Sequence, residues 1–275
     1  MKVRFWGVRG GMPAPGPDTV KVGGNTPCVE VRVGDDQIII LDAGTGIRPL
    51  GDALLREGRD RIVATLFISH THWDHIQGFP FFNVHQYRRN RIVIIGEKKV
   101  GQRLEAVMAG QLSEPYSPFG SKELEADLII KEARDRETLV IGDDVRVTAC
   151  SAFHPGGAFM YRIEHGGHSV LYATDVGHPL GSFDENVLEM AENCDVLIHD
   201  AQFSDKQKTL HPHWGHSTWK EAALVGKEAR VGTMVAFHHS SWATDDFLLN
   251  VVANEIQEIY ANSVIGYEGL EIELG

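Results

Sequence analysis

At 275 residues, 43% apolar and 23% charged, the chain can bury a substantial core as one large domain or two small ones. Its 38 Asp and Glu outnumber its 26 Lys and Arg, a formal charge of −12, which argues against extended nucleic acid as a partner and for a small substrate. No apolar run approaches the ~20 residues that cross a bilayer, so no membrane partner is expected.

A strand pattern begins at once in 1–7, with no secretion signal expected ahead of it. Cys28, Cys150 and Cys194 form no C-x-x-C pair and read as reduced thiols; together these features predict a cytoplasmic protein. The glycines and prolines of 9–17 forbid regular structure. Val22-Gly23-Gly24-Asn25-Thr26 then leads into a strand at Cys28–Val33. This Gly-Gly-Asn turn is either an ordinary turn or a place where backbone approaches a ligand, which makes Asn25 a candidate substrate contact. Asp35-Asp36 predicts a hairpin turn into Gln37–Leu41. Asp42, at the end of that run, either orients a ligand histidine or caps the helix expected over Ile47–Arg56.

The apolar run Val63–Ile68 reads as a buried strand and ends in Ser69-His70-Thr71-His72-Trp73-Asp74-His75. On extended backbone His70 and His72 project to one side together, while Asp74 and His75 lie past the bend and face a second point. That arrangement suits two metal ions close together. Imidazole mixed with carboxylate favours zinc, manganese or iron over calcium or copper(I).

Beyond this turn, 92–95 is a short buried strand, and Leu104, Val107, Met108 and Leu112 repeat at helical spacing as core. The loop 113–120 carries two prolines, Tyr116 and Phe119; it either stacks on a substrate or packs as surface, so Tyr116 is a second candidate contact. The charged stretch 124–136 is weakly patterned and suggests no chemistry.

In the second half, one arrangement recurs. A strand at Val145–Ala152 leads to His154, and a hairpin of 158–163 and 169–174 around His165-Gly166-Gly167-His168 ends in Asp175. The run 195–198 ends in His199-Asp200, and 234–237 ends in His238-His239. Strands that deliver acid-base or ligand side chains at the same sense of end predict a site assembled along one edge of packed sheets. That favours a single domain over 1–275. Thr218-Trp219-Lys220-Glu221 reads as a capping box, and Thr244-Asp245-Asp246 opens a last helix with Leu248, Val252, Ile256 and Ile259 as its buried stripe.

His70-x-His72-x-Asp74-His75, followed in order by His154, Asp175 and His238, resembles the metal signature of the metallo-β-lactamase superfamily across nearly the whole chain. Ile198-His199-Asp200-Ala201-Gln202-Phe203 is similar to the segment that carries Glu in tRNase Z, and Gly215-His216-Ser217-Thr218 is similar to its His-Ser-Thr motif. Related cyclic phosphodiesterases share both, whereas β-lactamases and glyoxalase-type thioesterases lack them. The resemblance implies an α/β, four-layer αββα sandwich of two mixed sheets with helices outside. It implies two divalent ions, zinc foremost and manganese or iron as alternatives. His70, His72 and His154 would hold one, Asp74, His75 and His238 the other, and Asp175 would bridge them, with His239 as the rival of His238.

Asp74 would orient or deprotonate the attacking water, and His216 would protonate the departing oxygen with Asp200 behind it. A water shared by two dications is acidified towards neutral pH, and a positioned imidazolium helps a poor alkoxide depart. The expected activity is hydrolysis of a small cyclic or linear phosphodiester such as a cyclic nucleotide. The alternatives are tRNA 3′ processing and a non-catalytic metal-binding or sensor module. Relatives of this kind are often homodimers. His165, His168, His178 and the pair in His211-Pro212-His213-Trp214 receive no role.

Overall fold

The computed structural model describes residues 1–34, 37–117, 120, 124–179 and 181–275. The expected Asp35-Asp36 turn and Phe119 of the 113–120 loop lie outside the described residues. Among the described residues two seven-stranded mixed sheets pack face to face with helices outside, the αββα layering expected from the resemblance.

The first sheet is built from β1 (Lys2–Gly7), β3 (Cys28–Val33), β4 (Gln37–Leu41), β5 (Val63–Ile68), β6 (Arg91–Glu97), β7 (Asp127–Ala133) and, returning from the far end, β16 (Glu271–Glu273). Strands β4 to β7 run parallel, whereas β1, β3 and β16 pair antiparallel. The second sheet contains β8 (Thr138–Ile141), β9 (Val145–Ala152), β10 (Ala158–His165), β11 (His168–Ala173), β12 (Val196–Asp200), β13 (Thr233–Phe237) and β15 (Ser263–Ile265). A two-stranded parallel pair, β2 (Arg9–Gly10) with β14 (His239–Ser240), joins the N-terminal loop to the end of β13.

Alternation along β4 shows how the layers form. Ile39 and Leu41 enter the core between the sheets, while Ile38 and Ile40 face the helical layer over α1 (Ile47–Arg56) and α2 (Leu104–Gly110). On the other side α3 (Trp219–Glu228) opens with the expected capping box, in which Thr218 and Glu221 cap each other. It buries Ala222, Ala223 and Val225 against the second sheet. The last helical stretch starts where Thr244 accepts Phe247 N–H, then passes through a π-helical turn at Leu248–Val252. The stretch 124–136, which lacked a strand pattern, contains β7. It is an edge strand of its sheet and only partly covered, so its side chains do not alternate cleanly between core and water.

Candidate active site

Strand direction assembles this site. β4 and β5 run parallel in the first sheet, and β11, β12 and β13 run parallel in the second. β9 shares their direction because β9 and β11 are both antiparallel to β10. The C-terminal ends of these strands carry Asp42, the 69–75 turn, His154, Asp175, Asp200 and His238. The two sheets are tied at this edge, where Phe159 N–H donates to Ser69 O (2.8 Å) and the Tyr161 hydroxyl donates to Ile68 O (2.7 Å). Asp42 (φ 62°), Asp175 (φ 52°) and His238 (φ 57°) all adopt left-handed backbone at the strand ends. Non-glycine residues in that region carry strain, and strain of this kind clusters at functional sites.

The side chains form two donor sets that share one carboxylate. In the first, ligand atoms of His70, His72, His154 and Asp175 lie within 4.8 Å of one another. His70 Nε2 and His154 Nε2 are 3.7 Å and 3.9 Å from Asp175 Oδ1, and His72 Nδ1 is 3.5 Å from His154 Nε2. In the second set, His75 Nε2 and His238 Nε2 lie 3.2 Å and 3.1 Å from Asp74 Oδ2. The same two nitrogens are 3.0 Å and 3.2 Å from Asp175 Oδ2. Asp175 therefore turns one oxygen to each set. Asp42 does not cap α1, whose N-cap is Gly46; its Oδ2 instead lies 2.7 Å from His75 Nδ1 and leaves His75 Nε2 directed at the cluster. His154 Nδ1–H likewise donates to Gly215 O at 3.0 Å.

Beside the bridging acid stands a dyad. His216 Nδ1 is 2.8 Å from Asp200 Oδ2 and 3.9 Å from Asp175 Oδ1. Asp200 is fully buried, and its other oxygen accepts Ser217 N–H (3.0 Å) and Gln202 N–H (3.2 Å). His238 and His239 part company after β13. His238 faces the donor set, whereas His239 Nε2–H donates to Gly266 O at 2.9 Å.

The two proposed substrate contacts are not brought here. Asn25 Nδ2 donates to Glu268 Oε2 (3.0 Å) and its N–H to Glu268 Oε1 (2.7 Å), so this turn pins the N-terminal loop to the C-terminal one. Tyr116 is exposed and does not line the cleft. The cleft, about 390 Å³, is walled instead by Gly10, Gly11, Gln202, Phe203, Trp214 and Trp242 around the histidines and acids.

A family model described as the Beta-lactamase superfamily domain matches residues 37–239. The chain belongs to the metallo-β-lactamase superfamily. It is 23% identical to a protein named Ribonuclease Z from Bacillus subtilis (strain 168), over 78% of this chain and 82% of that one. It is also 23% identical to Ribonuclease Z from Archaeoglobus fulgidus, over 99% and 97%. Human tRNase Z, short form, superposes with a TM-score of 0.70 at 20% identity, covering all of both chains, a likeness of fold.

These relatives overturn one expectation. A net charge of −12 does not argue extended nucleic acid away from a metallo-β-lactamase fold whose relatives are named as ribonucleases. Summed charge is silent about where the charges lie, and the buried acids Asp42, Asp74, Asp175 and Asp200 belong to a site that cations would neutralise.

The donor chemistry of this superfamily member fits metal ions. Among the described residues, His70 Nε2 and His75 Nε2 are buried without a hydrogen bond although carboxylate oxygens lie close, so each nitrogen is aimed into its own donor set rather than at a hydrogen-bond partner. The metal-free electrostatics agree. Burial alone favours neutral groups, yet the attraction of His75 and the hydrogen bond from His238 hold Asp74 well below the ordinary carboxylate range. Asp175 is depressed in the same way against its burial, chiefly by His238 and His75. Against burial, Asp175, Asp200 and Asp74 push His238 up to about 10, and Asp74, Asp175 and Asp42 raise His75 well above its usual value. Burial lowers His70, His72 and His154. Two imidazoles thus carry protons where dications would otherwise balance the acids.

Several contributors were not legible in the sequence of this metallo-β-lactamase-fold protein. Gly11 N–H donates to Asp74 Oδ2 at 2.7 Å. Gly10 leaves room for His238, because a Cβ there would stand 2.5 Å from the ring. The Tyr172 hydroxyl donates to Asp42, and Asp200 Oδ2 faces His238 Nδ1 at 3.4 Å as well as His216. A glycine in an irregular stretch and a tyrosine in a strand are too common for sequence to assign them such roles.

Proposed function

We propose that this protein is a two-metal phosphodiesterase of the ribonuclease Z type, cleaving RNA near a 3′ end. The observation that carries the reading is the His216–Asp200 pair at 2.8 Å beside a carboxylate shared by two donor sets. Relatives named Ribonuclease Z over most of their length support the choice of RNA.

In this reading His70, His72 and His154 hold one dication, Asp74, His75 and His238 the other, and Asp175 both, with zinc the favoured metal. Such ions, when bound, supply a water acidified towards neutral pH and neutralise charge on the phosphoryl oxygens. Asp74, held by Gly11 N–H, orients the attacking water and receives its proton at a carboxylate oxygen. Asp200, kept ionised against its burial mainly by His216 and next by His238, fixes the His216 ring through Nδ1. The Nε2 of the charged ring then donates to the departing oxygen, a contribution worth roughly 10²–10⁴ in rate.

A second reading, hydrolysis of a small cyclic or linear phosphodiester, is favoured by a cleft of about 390 Å³, within the ~300–1,000 Å³ that holds one small ligand. The protein loaded with zinc, manganese or iron(II) is incubated with precursor tRNA, with cyclic nucleotides and with bis-p-nitrophenyl phosphate. Cleavage of the precursor at its 3′ trailer is the expected result. Turnover of cyclic nucleotides with intact precursor transfers the assignment to the second reading, and no turnover of any of them leaves a metal-binding module.

A further inference from the structure

One wall of the cleft is built from rings that the mechanism above does not use. His211 and Trp214 are stacked, with ring centroids 4.2 Å apart and planes 27° from parallel. Buried Phe203 stands behind them, 6.2 Å from Trp214 and 5.2 Å from His216. Trp214 is nonetheless 57% exposed, and Trp242, from the loop after β14, lines the same cleft while 87% exposed. Exposed apolar surface gathered around a cleft, rather than scattered singly, marks a ligand-binding site. These faces adjoin the donor sets within a single cavity.

We propose that Trp214, backed by His211 and accompanied in the cleft wall by Trp242, is a nucleobase platform. A planar base stacks on an indole whatever its hydrogen-bonding edge, and His211 behind Trp214 holds the ring in place for it. Because Phe203 links Trp214 to His216, the platform stands on the side where the departing oxygen receives its proton. The base it takes therefore belongs to the leaving nucleoside. This assignment of side rests on the phosphodiesterase reading; the stacking itself does not.

The probe is the fluorescent nucleoside 2-aminopurine riboside, titrated into metal-free and zinc-loaded protein, with adenosine and ribose as competitors. The expected result is saturable quenching reversed by adenosine and not by ribose. Kd should weaken roughly 5- to 160-fold in Trp214→Ala and in Trp242→Ala, the range that stacking of one base spans. Both side chains are exposed, so the variants keep the parent thermal midpoint, which is checked alongside. A second arm compares RNA substrates that are abasic on the leaving side or on the opposite side of the scissile phosphate. The wild-type protein should lose kcat/KM only for the leaving-side lesion, and the Trp variants should not distinguish that substrate from intact RNA.

Unchanged Kd in both variants, or no quenching at millimolar nucleoside, overturns the platform. A penalty for the opposite-side lesion alone overturns its placement. Binding through Trp214 without turnover of any phosphodiester keeps the platform and removes the phosphodiesterase reading. Turnover with unaltered binding in the variants does the reverse.

Discussion

The Tyr172 hydroxyl, on β11 of the second sheet, donates at 2.8 Å to Asp42 Oδ2 at the end of β4 in the first. The same oxygen lies 2.7 Å from His75 Nδ1 and 2.8 Å from Ser69 Oγ. One buried carboxylate thus links the packing of the two sheets to the aim of a donor histidine. Tyr172→Phe should cost about 1–3 kcal/mol of stability, since it leaves a buried acceptor one donor short. Asp42→Asn should weaken zinc binding by roughly 10–100-fold. Urea unfolding and competition titration with a chromogenic chelator measure these; wild-type zinc affinity in Asp42→Asn would dissociate Asp42 from the metal centre.

His216→Ala should lower kcat by roughly 10²–10⁴ on ribonucleotide esters while zinc content and thermal midpoint stay unchanged. The loss should be smaller on bis-p-nitrophenyl phosphate, whose phenolate departs with little help from an acid. Equal losses on both substrates would place His216 outside proton transfer.

Metal uptake should release protons. At pH 7 the metal-free protein holds His238, pushed up to about 10 by its carboxylate neighbours against its burial, in the charged form, and His75 is shifted in the same direction. Both must deprotonate to bind a cation. Calorimetric titration of zinc in buffers of different ionisation enthalpy should report proton release that falls when His238→Ala is tested. No proton release at pH 7 would contradict the proposed ligand roles of both residues.

His178 sets an acid limit on stability. Burial, reinforced by His199, lowers it to about 2 in the fold, against an ordinary value of 6.5. Below pH 6.5 the unfolded chain takes up a proton here that the folded chain does not. Stability from this group is therefore complete above pH 6.5 and falls as pH drops from there towards 2, with a slope of about 1.4 kcal/mol per pH unit. Asp184 N–H donates to His178 Nδ1 at 3.1 Å, so His178→Asn keeps an acceptor there. It should remove about one proton's worth of the slope between pH 6 and 4, read from urea unfolding of metal-free protein; an unaltered slope would assign the acid sensitivity elsewhere.

Gly10→Ala should displace His238. The added methyl would lie 2.5 Å from His238 Cε1 and Nδ1 and 2.4 Å from Gln202 Nε2, contacts that something must relieve. Overpacking of this kind costs about 1–3 kcal/mol. Mass spectrometry of bound metal should show the second ion reduced relative to the first, and full loading would show that the ring tolerates the shift.

The chain by itself determined whatever is local and repeated. Apolar runs such as Val63–Ile68, the capping residues Thr218 and Thr244, and the tight spacing from His70 to His75 each act over a few residues, so their physics is readable along the sequence. The convergence of strand ends followed from them, and the layering followed from the family resemblance that the motifs carry. Tertiary structure decided which of two compatible uses a residue serves. Asp42 orients His75 instead of capping α1, Asn25 binds Glu268 instead of lining the active-site cleft, and β7 forms where no alternation announced it. It also placed Asp200 against two imidazoles and stacked His211 on Trp214. Hydrogen bonds and ring contacts of this kind join residues far apart along the chain. Their energies depend on distances of a few ångströms that no local pattern encodes.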